Sequence, residues 1–210
     1  MIIRVIRAME IYLIRHTTPA IEKGICYGQT DLDVTDTFEE EVKCIKEHLP
    51  EKIQTVYSSP LQRCRKLAEA IFPKHPVQLH DDLMELNCGN WEMQLWNGIP
   101  KQEIQPWMDD FVNIQVPNGE SYVQMHERVV ARFEWISQQP KPAVIVAHGG
   151  VLRSILSHIT HTPLKESFDA FTCHYGCVVK LTFENDIYKH EMLYNISLAG
   201  KEWHRPSGEL

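Results

Sequence analysis

Ala143 to Ala147 form an uninterrupted apolar run that passes directly into His148, Gly149 and Gly150. Val151, Leu152, Ile155, Leu156 and Ile159 then recur at helical spacing. A buried strand, a sharp turn and an amphipathic helix in immediate succession restrict the chain to folds in which helices cover a sheet. Ile11 to Ile14, Val56 and Tyr57 with their neighbours, and Cys177 to Phe183 are further runs rich in strand-forming residues. The first two runs and Ala143–Ala147 are expected to be buried on both faces. With no repeat, low-complexity stretch or long Gly/Ser linker, this alternation predicts an α/β domain.

Local signals place further elements. Ser59 before Pro60 predicts a helix starting at Pro60, with Leu61, Cys64, Leu67, Ala68 and Ile71 on its apolar face. Ser121 with Gln124 three residues on is a capping-box signature, and Tyr122, His126, Val129, Val130, Phe133 and Ile136 continue one face. Cys177–Phe183, the polar pair Asn185–Asp186 and Ile187–Tyr194 predict a hairpin at a sheet edge. The stretch from about residue 81 to 118 holds Trp91, Trp96 and Trp107 with weak periodicity, and is expected to be loops and a small helical cap.

The length of 210 residues fits one domain over 1–210, and 43% hydrophobic with 23% charged residues is a globular balance. Residues 1–8 are expected to be an extension outside the core, with Met9 a candidate natural start. The excess of 28 acidic over 21 basic side chains gives −7, which argues against nucleic acid as a partner. Apolar stretches end far short of the roughly 20 residues that span a bilayer, so no membrane partner is expected. Arg4, Arg7 and Glu10 interrupt the N-terminus, where no export signal is visible. The six cysteines are irregularly spaced, so free thiols and a reducing cytoplasm are expected.

Two apolar strands end in histidine, at Arg15–His16 and at His148. In open α/β sheets ligands gather beyond the carboxyl ends of the strands, so both imidazoles are expected at one crevice. Arg63, in the first turn of the helix after Ser59, stands where a helix N-terminus already favours an anion. Arg15 and Arg63 can each fork onto oxyanions, and around two histidines they suit a phosphate better than a metal. Glu85 follows a predicted strand at Val77–Leu79. Near anions and apolar residues a carboxyl holds its proton to higher pH and can act as an acid. With Asp81 and Asp82 it equally reads as an ordinary acidic loop.

Taken in order, Leu13-Ile14-Arg15-His16, Ser58-Ser59-Pro60-Leu61-x-Arg63, Leu83-x-Glu85-x-x-x-Gly89-x-Trp91-Glu92, Gly119-Glu120-Ser121 and Ala147-His148-Gly149-Gly150-Val151-Leu152-Arg153 resemble the histidine phosphatase (phosphoglycerate mutase-like) superfamily. Arg15-His16-Thr17-Thr18-Pro19 and the segment from Ile25 to Asp31 look most like the α-ribazole phosphatases of cobalamin biosynthesis. The resemblance implies a three-layer α/β/α sandwich around a mostly parallel sheet, with a small helical cap. It implies a phosphomonoesterase with His16 as nucleophile, Arg15 and Arg63 as phosphate clamp, His148 as hydrogen-bond donor and Glu85 as acid and then base. No metal and no cofactor are implied, and the partner is a small phosphorylated metabolite. Where the commoner motif reads Arg-His-Gly-Glu-Thr, this chain has Thr17 and Thr18, and no phosphate-binding asparagine lies between Ala20 and Gly24. Tyr27, Gly28 and Gln29 are expected to take over that role, and Gly149 joins the substrate-binding set.

Several features read more plainly. His158 and His161 lack a third ligand and are expected at the surface, and Cys173 and Cys177 around His174 lack a second ligand pair. The cap tryptophans read equally as filling or as a stacking surface for substrate. A phosphoglycerate mutase shares the histidine pair but carries longer insertions between Glu85 and His148. A non-catalytic phosphate-binding module would need neither Glu85 nor a second histidine. The leaving alcohol and the oligomeric state, a homodimer among the options, stay open.

Overall fold

A computed structural model describes residues 9–196. The expectation for residues 1–8 lies outside the described residues. Six strands, β1 (Met9–Arg15), β2 (Thr55–Ser58), β3 (Val77–Leu79), β4 (Ala143–Ala147), β5 (Val178–Glu184) and β6 (Ile187–Tyr194), form one sheet in the order β3-β2-β4-β1-β5-β6. The four strands from β3 to β1 are mutually parallel, and β5 and β6 run antiparallel at the edge. The helices are α1 (Phe38–Lys46), α2 (Gln62–Ile71), α3 (Lys101–Asp109), α4 (Tyr122–Ser137), α5 (Gly149–Thr160) and the short α6 (Ser167–Ala170).

Alternation along the central strands accounts for the layers. Ile11, Leu13, Ala143, Ile145 and Ala147 face a core built with Val129, Phe133, Leu152 and Ile155 of α4 and α5. Tyr12, Ile14, Val144 and Val146 face the opposite core with Val42, Ile45, Cys64 and Leu67 of α1 and α2. Both faces of β1 and β4 are therefore buried, which is why these strands read as continuous apolar runs. The mostly parallel α/β/α sandwich is as expected.

The hairpin turns through Asn185 and Asp186, at φ 52° and 62°, left-handed values that short polar side chains tolerate. Ser121 and Gln124 form both reciprocal bonds of the capping box. The second helix differs from expectation: it starts at Gln62, because Leu61 is extended at φ −61° and ψ 134°. Ser59 leaves the helix to face His148, so Pro60 and Leu61 form a bend before the first turn.

Between β3 and α4 the chain makes three short helical turns and α3. Trp91, Trp96 and Trp107 pack together, Trp91 edge-on to Trp107 at 5.6 Å and Trp96 stacked on it at 5.9 Å. With Cys26, Cys88, Ile99, Ile104 and Val116 they form a small third core of the cap's own. Trp91 donates from Nε1 to the Glu103 carboxylate. All six cysteines are unbridged. Among the described residues no helix is long and apolar enough to cross a membrane.

Candidate active site

Strand register assembles the site. Arg15 pairs with Ala147 and Ser58 with Val146, so His16 and His148 leave adjacent parallel strands at one level and Ser59 leaves the next strand one residue earlier. Backbone bonds carry the alignment past the strand ends: His16 N donates to Ala147 O at 3.0 Å and Ser59 N to Val146 O at 3.0 Å. The two imidazoles lie 5.1 Å apart and are both buried.

His16 Nδ1 lies 2.7 Å from Thr17 O. A carbonyl only accepts, so Nδ1 carries the proton and the ring's lone pair sits on Nε2. His148 precedes α5, with Nε2 2.8 Å from Ser59 Oγ. Burial, followed by Arg63, His16, Arg15 and Arg128, holds its pKa well below 6.5, so it is neutral near pH 7. Cys64 Sγ lies 3.5 Å from His148 Nε2, but burial pushes the thiol up to about 12, so it is no rival nucleophile.

Both arginines are buried and each faces a tyrosine. Arg15 stands 4.0 Å from the Tyr175 ring and donates to Cys173 O, while Arg63 lies 5.5 Å from the Tyr27 ring. The two tyrosine hydroxyls are 2.6 Å apart. Arg63 donates from Nη1 to Thr30 O at 2.8 Å and from Nη2 to Gly28 O at 2.6 Å, and its buried Nε has no acceptor. Two fixed, desolvated guanidiniums, with the Nε–H of Arg63 to spare, make a socket for a tetrahedral oxyanion.

Glu85 reaches the helix side of this socket. Its Oε2 accepts from Gly150 N at 3.0 Å and its Oε1 from Leu86 N at 3.0 Å. Gly149 opens α5, with Arg153 one turn on; a Cβ on Gly149 would meet Arg153 Nη1 at 2.9 Å and Arg15 Nε at 3.3 Å.

Gly28 and Gln29 sit differently from the expected anion contacts. Their amides donate to the Glu92 carboxylate at 2.8–3.1 Å, as does Thr30 N at 3.2 Å. Glu92 thus holds the loop whose carbonyls hold Arg63. Gly28 is required by closeness, since a Cβ would fall 1.8 Å from Leu86 O. Gln29 Nε2 donates to Glu85 O at 3.1 Å. Where the commoner motif has a carboxylate after the histidine, this chain has Thr18, whose N donates to Glu41 Oε2 of α1 at 3.0 Å.

Ser59, Glu92, Arg128, Gly150 and Tyr175 carry no role in the sequence reading. Ser59, Glu92 and Gly150 lie inside the quoted motifs, and Arg128 on the helix that follows one, which was a signal of position though not of partner. Tyr175 had none beyond its place between two cysteines. The cap tryptophans pack on one another, and His158 lies 3.6 Å from Glu134. Among the described residues no group of three His, Cys, Asp or Glu side chains is placed to hold a metal ion.

Paired imidazoles beside two buried guanidiniums and a carboxyl make a site suited to a phosphate group. Residues 11–196 match the histidine phosphatase superfamily (branch 1), and the chain belongs to that family. A Hydrogenobacter thermophilus protein named as a phosphoserine phosphatase is 32% identical over 72% of this chain and 78% of its own length. The adenosylcobalamin/α-ribazole phosphatase of Escherichia coli is 26% identical over 80% of this chain and 87% of its own. The crystal structure of the α-ribazole phosphatase from Shigella flexneri superposes with a TM-score of 0.80 at 21% identity, covering 92% of this chain and all of that one.

Proposed function

We propose that this protein is a metal-independent phosphomonoesterase that works through a phosphohistidine at His16, with α-ribazole 5′-phosphate of cobalamin biosynthesis as its substrate. The observation that carries the mechanism is the hydrogen bond from His16 Nδ1 to Thr17 O, which leaves Nε2 as the basic nitrogen of the ring. Nε2 attacks phosphorus in line, the P–O ester bond breaks, and the leaving oxygen takes a proton from Glu85. Arg15, Arg63 and a ring N–H of neutral His148 bear the charge on the transferring oxygens. Glu85 then takes a proton from water, which attacks phosphorus, breaks the P–N bond and returns His16 with free phosphate.

The substrate reading rests on the Thr17–Thr18–Pro19 and Ile25–Asp31 segments, and the E. coli relative supports it. A second reading, a leaving group that carries a carboxylate as in phosphoserine, is favoured by Arg153. Its guanidinium lies 4.5 Å from the Phe168 ring, with Nε donating to Phe171 O at 3.1 Å, and its Nη1 faces Gly149 beside Arg15. Release of phosphate from α-ribazole 5′-phosphate, phosphoserine, sugar phosphates and phosphoglycerates, compared by kcat/KM, decides between them. His16→Ala is expected to abolish turnover and the acid-labile phosphoenzyme, and activity should survive EDTA. A His16→Ala protein retaining more than a few per cent of activity, or EDTA loss reversed by zinc or magnesium, would sink the reading.

A further inference from the structure

Glu85 has to stand within a bond length's tolerance of the leaving oxygen, yet it lies on irregular chain between two helical turns, Asp81–Leu83 and Gly89–Trp91. No strand or helix of its own fixes it. Gly150 N meets its carboxyl and Gln29 Nε2 its carbonyl, and the clamp on the surrounding backbone comes from α4. Arg128 Nη1 donates to Asp82 O at 2.9 Å and Met84 O at 2.8 Å, and Nη2 donates to Glu85 O at 3.0 Å. Its Nε donates to Glu120 Oε2 at 3.0 Å, and Nη2 also donates to Glu120 Oε1. Glu120 in turn accepts from Asn87 N at 2.8 Å, while its own amide donates to Asn87 O at 3.0 Å.

We infer that Arg128, paired with Glu120, is the positioning residue for Glu85, clamping the backbone from Asp82 to Asn87 so that the carboxyl meets the leaving oxygen. The rigid planar fork suits this task, because its donors point in several fixed directions at once. Lysine has the charge but not the directions. The capping box at Ser121 and Gln124 fixes the start of α4 and so the height of Arg128 above the segment. The inference rests on the acid role of Glu85, and the test separates the two.

Phosphoenzyme formation is timed by rapid quench on glycerol phosphate, whose leaving group needs a proton, and on p-nitrophenyl phosphate, which needs little protonation. Arg128→Lys and Arg128→Ala should slow the first substrate about 100-fold, the scale of a misplacement near 1 Å. On p-nitrophenyl phosphate the loss should stay below about threefold, and on a Glu85→Gln background either change should add nothing. Glu120→Gln, which leaves Arg128 in place, should give the same selectivity more weakly, and carries the test if Arg128→Ala does not fold. Equal slowing of both substrates by Arg128→Lys, or a multiplied loss on the Glu85→Gln background, overturns the positioning role while Glu85→Gln stays selective. A Glu85→Gln protein slow on both substrates overturns the acid role and this inference with it.

Discussion

A Cβ built on Gly150 would lie 2.3 Å from Glu85 Oε1 and 3.0 Å from Met125 Cε, while the Gly150 amide donates to Glu85 Oε2. Gly150 is in a helix, where alanine is otherwise preferred by about 1 kcal/mol, so substitution strikes the carboxyl rather than the backbone. Gly150→Ala is therefore expected to lower kcat on alkyl phosphates by about 10- to 100-fold with a near-normal melting curve. Unchanged kcat would mean that Glu85 has another productive position. At this scale the sequence shows the side chains that the structure gathers at the strand ends, His16 and His148, together with Arg15, Arg63 and Glu85. It hides the residues that hold them. Glu92 meets the amides of Gly28 and Gln29 more than sixty positions away, and Arg128 meets carbonyls more than forty positions away. Such bonds join a side chain to a backbone, and backbones have no spelling in the sequence.

Elements whose start signals are local match the structure where nothing distant competes. Ser121 and Gln124 satisfy each other's backbone and α4 begins there, whereas Ser59 turns to His148 and α2 begins later than its signal. The first outcome yields a clean stability prediction. Ser121→Ala removes the acceptor for Gln124 N and is expected to cost about 1 kcal/mol. In a chain of this size that is a fall in Tm of about 2–4 °C, measured by thermal unfolding. No fall would mean that Gln124 finds another partner. The tryptophans of the cap show the opposite limit: large apolar side chains at irregular spacing predict burial but not what they bury against. In the structure they bury against each other.

Across the whole molecule a net charge of −7 coexists with a cationic pocket, and the pocket leaves its mark on stability. In the unfolded chain His148 titrates near 6.5; in the folded chain burial, with Arg63, His16, Arg15 and Arg128 around it, holds it well below. The folded pKa is depressed, so its contribution is full above 6.5 and is lost as pH falls, because the unfolded chain then binds a proton that the folded chain refuses. His80 and His126 shift the same way, chiefly through burial. Tm is expected to drop between about pH 7 and pH 5, and His148→Gln should flatten that slope. A wild-type Tm flat over this range would show that His148 reaches solvent.

The pairing of Arg15 with Ala147 acts as a gauge, because peptide hydrogen bonds set the spacing of the backbones that carry His16 and His148. Side chains of the cap take no part in that measurement, and their tryptophan core closes on itself. Packing of the cap and spacing of the two histidines are thus mechanically separate, so the cap beyond Glu92 can drift in sequence without resetting that spacing, provided Glu85 keeps Gly150 and Glu92 keeps the amides of Gly28 and Gln29. A single residue inserted into β4, by contrast, would turn every side chain after it to the opposite face and end phosphoryl transfer for all substrates alike.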